Sequence, residues 1–139
     1  MRVAFALGVL ALLSACASTH AIQPVLASPS IDFSRAETVE VVLANFKFAP
    51  AELHLTPGRP YLLKFTNSAG GGHDFTAPDF FAAAQIYPDD AARISDGQVE
   101  LEGGESSTIR LVPNKGEYKI VCTHFGHSAL GMTGKIIVR

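Results

Sequence analysis

The chain has no tryptophan, two cysteines, two methionines and only 17% charged residues. Two cysteines, Cys16 and Cys122, cannot make a disulfide-dense scaffold, and they do not look like a pair. With 5 histidines and 2 methionines in all, there is no His-rich or Met-rich tract of the kind that stores metal. Net charge is −2, so the basic surface that a nucleic-acid partner requires is missing. No apolar run reaches the ~20 residues needed to span a bilayer. What is present is 47% apolar residues, punctuated by 12 Gly and 8 Pro over 139 positions. That balance excludes a disordered or fibrous chain and suits one globular domain. No internal repeat is visible.

The N-terminus is an export signal. Arg2 supplies a positive charge, residues 3–13 are almost wholly apolar, and the run ends in Leu13-Ser14-Ala15-Cys16. Ala15-Cys16-Ala17 would serve as a plain secretory cleavage site, but the Leu-Ser-Ala-Cys order resembles the lipobox of bacterial lipoproteins. The resemblance implies a signal peptide over residues 1–15, cleavage before Cys16 and lipidation of Cys16. Several acyl chains would then anchor the protein to a membrane far more firmly than one. Ala17 after the cysteine resembles substrates sorted to the outer membrane in a Gram-negative cell, which places the domain in the periplasm. Residues 16–35, small and Pro-bearing, read as a flexible lipid-anchored tether. With Cys16 lipidated, Cys122 is an exported thiol with no partner for a disulfide, and metal coordination explains it.

Residues 36–139 form short β-type runs separated by Gly and Pro. Candidate strands are 39–48, 52–56, 61–67, 98–102, 106–112, 117–122 and 134–138. Leu53 and Leu55 alternate with Glu52, His54 and Thr56, as in a half-buried strand. Residues 78–92 break the pattern with one or two helical turns, Asp79 being placed as an N-cap. The expected fold is all-β: a two-sheet, antiparallel Greek-key β-sandwich with a short helical excursion.

The chemistry is concentrated near the C-terminus. Cys122, His127 and Met132 follow one another with four residues between each pair, so a strand, a short loop and the next strand deliver them together. A fourth ligand must come from another loop, and His73 in Gly70-Gly71-Gly72-His73-Asp74 stands out, with glycines that allow close backbone approach. Two imidazoles, a thiolate and a weak thioether suit one copper ion cycling between Cu(I) and Cu(II). Taken singly, each residue has a plainer role: Cys122 as a core thiol, Met132 as a gap-filler, His73 as a polar loop residue. On spacing alone, zinc held by His73, Cys122, His124 and His127 is also open. Structural zinc sites, however, draw more than one thiolate, and Met132 would then have no role.

Phe48-Ala49-Pro50, residues 53–58 and Phe65-Thr66-Asn67, followed by Tyr118-x3-Cys122-x4-His127-x4-Met132-x-Gly134, resemble the cupredoxins, the blue-copper family. The resemblance covers most of the chain after the tether. It implies a cupredoxin-like domain in which His73, Cys122 and His127 are equatorial copper ligands and Met132 the axial one. One departure stands out: the family usually has Asn after the first histidine, tying the two ligand loops together, and here the residue is Asp74. An ionised Asp74 would favour Cu(II) and lower the potential.

Function follows as a type 1 copper protein carrying single electrons in the periplasm, a monomer meeting a redox partner such as a cytochrome or an oxidase. Phe125, Gly126, Ala129 and Leu130 are suited to form an apolar rim around His127. Asp89, Asp90, Asp96, Glu100, Glu102 and Glu105 are either a solvated face or one that meets a basic partner. The alternative is a copper chaperone or buffer that holds the ion without passing electrons. An enzyme is disfavoured, since a site with every position filled leaves no open coordination for substrate.

Overall fold

Alternation along single strands dictates the architecture: in Tyr61–Asn67 every second residue is buried and those between are half-buried, the signature of a sheet with one face in a core. The structure, a computed structural model, describes residues 22–139. The expected signal peptide, the lipobox and Cys16 lie outside the described residues. The strands are β1 (Val25–Leu26), β2 (Glu37–Ala44), β3 (Lys47–Ala49), β4 (Glu52–Leu55), β5 (Tyr61–Asn67) and β6 (His73–Thr76). After helix α1 (Pro78–Ala83) come β7 (Gln85–Ile86), a 3-10 turn (Pro88–Arg93), β8 (Gln98–Leu101), β9 (Ser106–Val112), β10 (Gly116–Val121) and β11 (Thr133–Val138).

They build two sheets, a six-stranded one in the order β1-β7-β9-β5-β2-β3 and a five-stranded one in the order β4-β11-β10-β6-β8. The sandwich is the one expected, but three ladders are parallel: β1 with β7, β2 with β5, and β4 with β11. Between β2 and β5 the chain leaves the first sheet to lay β4 in the second, and it returns running in its original direction. The expected strand 39–48 is two strands. The chain reverses at Asn45 and Phe46, where Phe46 takes φ +62°, a left-handed conformation that costs an aromatic residue energy. Helix α1 begins on Pro78 with Ala77 at its N-cap, so Asp79 is an acid in the first turn and not the cap.

The two sheets close on one core in which Phe65, Phe75, Phe80, Phe81, Leu63, Ile109, Leu111 and Ile136 are fully buried. Each such side chain contributes roughly 1.5–3 kcal/mol by leaving water. Phe75 is the hub, with ring centroids 4.7 Å from Phe65, 5.7 Å from Phe48 and 6.1 Å from Phe81. It anchors β6 between β10 and β8, and so fixes the strand that carries His73.

Part of the expected tether lies on the domain. β1 pairs with β7, the Ala27 amide donates to the Ile86 carbonyl at 2.8 Å, and the Phe33 ring meets Tyr87 edge-on at 5.6 Å. Among the described residues, no helix is long and apolar enough to cross a membrane.

Candidate metal centre

Two strand ends and one loop bring the expected ligands together. His73 opens β6 instead of lying in a loop, and it is buried. Cys122 follows β10 directly and is a free, fully buried thiol. His127 sits in the tight loop between β10 and β11, where the Met132 amide donates to the His127 carbonyl at 3.0 Å and the Cys122 amide to the Met132 carbonyl at 3.1 Å. Gly131, at φ +103°, supplies the bend that a side-chain-bearing residue would resist. Met132 is fully buried beside Cys122 in the core.

His73 Nδ1, His127 Nδ1 and Cys122 Sγ form a triangle. The two nitrogens are 3.1 Å apart, the sulfur is 3.8 Å from His73 Nδ1, and it is 3.5 Å from His127 Nδ1. A point in their plane lies about 2 Å from all three, close to the ~2.0–2.3 Å of transition-metal bonds to imidazole and thiolate. The His73 Nε2 faces Asn45 Oδ1 at 3.4 Å, which orients the ring with Nδ1 toward the sulfur. Burial first, then the neighbouring His127 and His124, push His73 below its ordinary value, which favours the neutral form that coordinates metal. Burial pushes the Cys122 thiol up, so metal capture there must release a proton. Borderline nitrogen and soft sulfur donors in this arrangement, with a thioether residue buried alongside, fit one copper ion.

Asp74 ties the two ligand strands together. It is fully buried, and the Thr123 amide donates to its two oxygens at 3.0 and 2.9 Å. The Thr123 hydroxyl donates at 2.7 Å to Oδ2, and the Thr76 hydroxyl at 2.7 Å to Oδ1. Cys122 Sγ lies 3.8 Å from Oδ2.

His124 stays out of the triangle. Its Nε2 bonds Glu100 at 2.8 Å, and its ring stacks on His127 with centroids 5.5 Å apart. Of the three glycines before His73, only Gly72 is crowded: a Cβ there would come within 2.9 Å of the His124 ring. Its role is to make room for that ring. Asp90, read as part of an acidic face, is fully buried and bound to Arg110 and Arg93. Asn45, Phe46, Thr76 and Thr123 are site residues that sequence patterning missed, and of these only Asn45 carries a signal, as a turn-type residue inside an apolar run. Phe46 packs edge-on against His127 at 5.4 Å. Phe46, Phe125 and Leu130 are exposed: Phe46 meets the half-buried His127 ring, and Phe125 and Leu130 lie in the same loop as His127.

Comparison with known proteins agrees with this fold. A model of the cupredoxin-like domain matches residues 4–138. Auracyanin B shares 23% identity at TM-score 0.58, covering 78% of this chain and 93% of its own. The dithionite-reduced auracyanin of Roseiflexus castenholzii shares 20% at TM-score 0.57, with 75% and 98% covered. Auracyanin A, a "blue" copper protein of Chloroflexus aurantiacus, shares 20% at TM-score 0.54, with 73% and 98% covered. No curated protein sequence matches. With a family model spanning nearly its whole length and a two-sheet fold like theirs, the chain belongs to the cupredoxin-like domain family.

Proposed function

We propose that this protein is a type 1 copper protein that carries one electron at a time in the periplasm, held to a membrane by lipid on Cys16. His73, Cys122 and His127 would hold the copper and Met132 would complete the set. The observation that carries this is the Nδ1–Nδ1–Sγ triangle, whose sides of 3.1, 3.5 and 3.8 Å match three donors to one ion. Copper bound there supplies a one-electron couple.

The chain's own part is to keep the donors still. Phe75 locks β6 into the core, Asn45 fixes the His73 ring, and Asp74 clamps the start of the Cys122 loop to β6. A site preset on rigid strands changes little between oxidation states, so reorganisation is small and transfer is fast. Burial of Cys122 and Met132 keeps water from the sulfur. The exposed rings and leucine around His127 suit an encounter that is small and brief, as electron-transfer contacts are.

Mixing the copper-loaded full chain with a reduced c-type cytochrome tests the reading. Rapid reoxidation of the cytochrome, with copper retained, is the expected result. Copper handover to a chelating acceptor without electron exchange would instead make the protein a chaperone or buffer.

A further inference from the structure

Asp74 does more than clamp two strands. It is fully buried, and among the described residues no Lys or Arg pairs with it. The nearest basic nitrogen, His124 Nε2, is 3.9 Å away and already bonded to Glu100 at 2.8 Å. Three donors converge on its oxygens instead: the Thr123 amide, the Thr123 hydroxyl and the Thr76 hydroxyl, both hydroxyls at 2.7 Å. The Thr123 amide can only donate, and it reaches both carboxyl oxygens, while the two hydroxyls are free to turn a proton toward them. The oxygen nearest the site is 3.8 Å from Cys122 Sγ. A buried negative charge met by dipoles alone is incomplete, and a cation beside it is what the arrangement lacks.

From this placement we infer that Asp74 is a tuning residue: its carboxylate, fixed by Thr76 and Thr123 against the Cys122 sulfur, favours the cupric over the cuprous form and holds the potential of the site down. The inference rests on the copper assignment above. The couple is Cu(II) plus one electron giving Cu(I), the electron coming from any one-electron donor, and no bond to Asp74 forms or breaks. Low local dielectric makes the extra positive charge of Cu(II) the better partner for this group.

The rival role is mechanical, and the two separate cleanly. Asp74→Asn keeps an acceptor for the Thr123 amide while removing the charge. Thr123→Val removes a tie while keeping the charge. The experiment is a spectroelectrochemical titration of the copper-loaded full chain and both variants with one-electron mediators, paired with chelator competition for Zn(II) and Cu(I). For Asp74→Asn the expected result is at least a tenfold shift toward Cu(I), ~59 mV upward for one electron. Zn(II) affinity should fall at least tenfold, with Cu(I) affinity changed less than threefold. In Thr123→Val the potential should hold or fall, because a less solvated charge acts more strongly. An Asp74→Asn couple shifted less than twofold from the parent's Cu(II)/Cu(I) equilibrium, or an upward shift in Thr123→Val to match it, overturns the inference. If Asp74→Asn does not fold, Thr76→Val and Thr123→Val carry the test, and a rise in either overturns it. Absence of thiolate-to-copper colour in the parent protein would remove the copper assignment itself, and this inference with it.

Discussion

Two aspartates among the described residues are fully buried, and they have opposite surroundings. Asp90 lies in the 3-10 turn and is met by cations: Arg110 Nε at 2.8 Å, a second Arg110 nitrogen at 3.0 Å and Arg93 at 3.0 Å, with the Arg110 amide at 2.9 Å. The Arg110 guanidinium also lies over Tyr87, 3.6 Å from the ring centroid, and Tyr87 meets Phe33 of the N-terminal segment. That carboxylate is neutralised where it stands and serves cohesion. Asp74 has hydrogen bonds but, among the described residues, no Lys or Arg, and it stands next to three metal-type donors. A buried carboxylate with its cation beside it is architecture; one with no Lys or Arg against it among the described residues leaves a place for a bound cation.

Breaking Asp90 sharpens the contrast most. Asp90→Ala leaves Arg110 without its buried partner and should cost about 3 kcal/mol, the lower end of the range for such pairs because Arg110 is partly exposed. Chemical denaturation would show it, and the copper colour should be unchanged. A loss of colour with intact folding would mean that the two regions are not separable.

Acid should expose the same pair. Burial pushes the Asp90 carboxyl up, but the hydrogen bonds and charge of Arg110 overrule it and hold it below the ordinary value of 3.8. A folded-state value below the unfolded one gives stability that is present above ~3.8 and lost as pH falls through the folded value. Unfolding free energy of the parent protein should therefore drop below pH ~4, and Asp90→Asn should show a shallower drop. Equal slopes would mean that Asp90 titrates alike in both states.

The smallest effect belongs to Met132. Met132→Leu should keep the colour and shift the couple more than twofold toward Cu(I), since a weak axial donor tunes potential without creating the site. An unmoved potential would take Met132 out of the ligand set.

Much of this was legible in the sequence, and the reasons differ by region. The Cys122, His127 and Met132 spacing is local, so one loop of chain fixes it, and His73 is marked by its glycine run. The seven expected strands lie near observed ones because one face of each is apolar. β6 was hidden: it is four residues long, and its His and Asp are buried for chemistry, which patterning takes for a loop. The reversal at Phe46 was masked by β-type residues on both sides of it. Segment 22–35 looked like tether because its docking uses backbone pairing with β7 and one ring, neither of which leaves a periodicity. The Asp74 network was out of reach, since Thr76 and Thr123 meet it only after β6 and β10 pair.

The visible absorption spectrum of the Cu(II)-loaded protein, beside that of Cys122→Ser, tests the central claim most directly. Intense thiolate-to-copper charge transfer in the parent, abolished by the substitution, is the predicted result. A colourless Cu(II) protein, or colour that survives the loss of the sulfur, would contradict it.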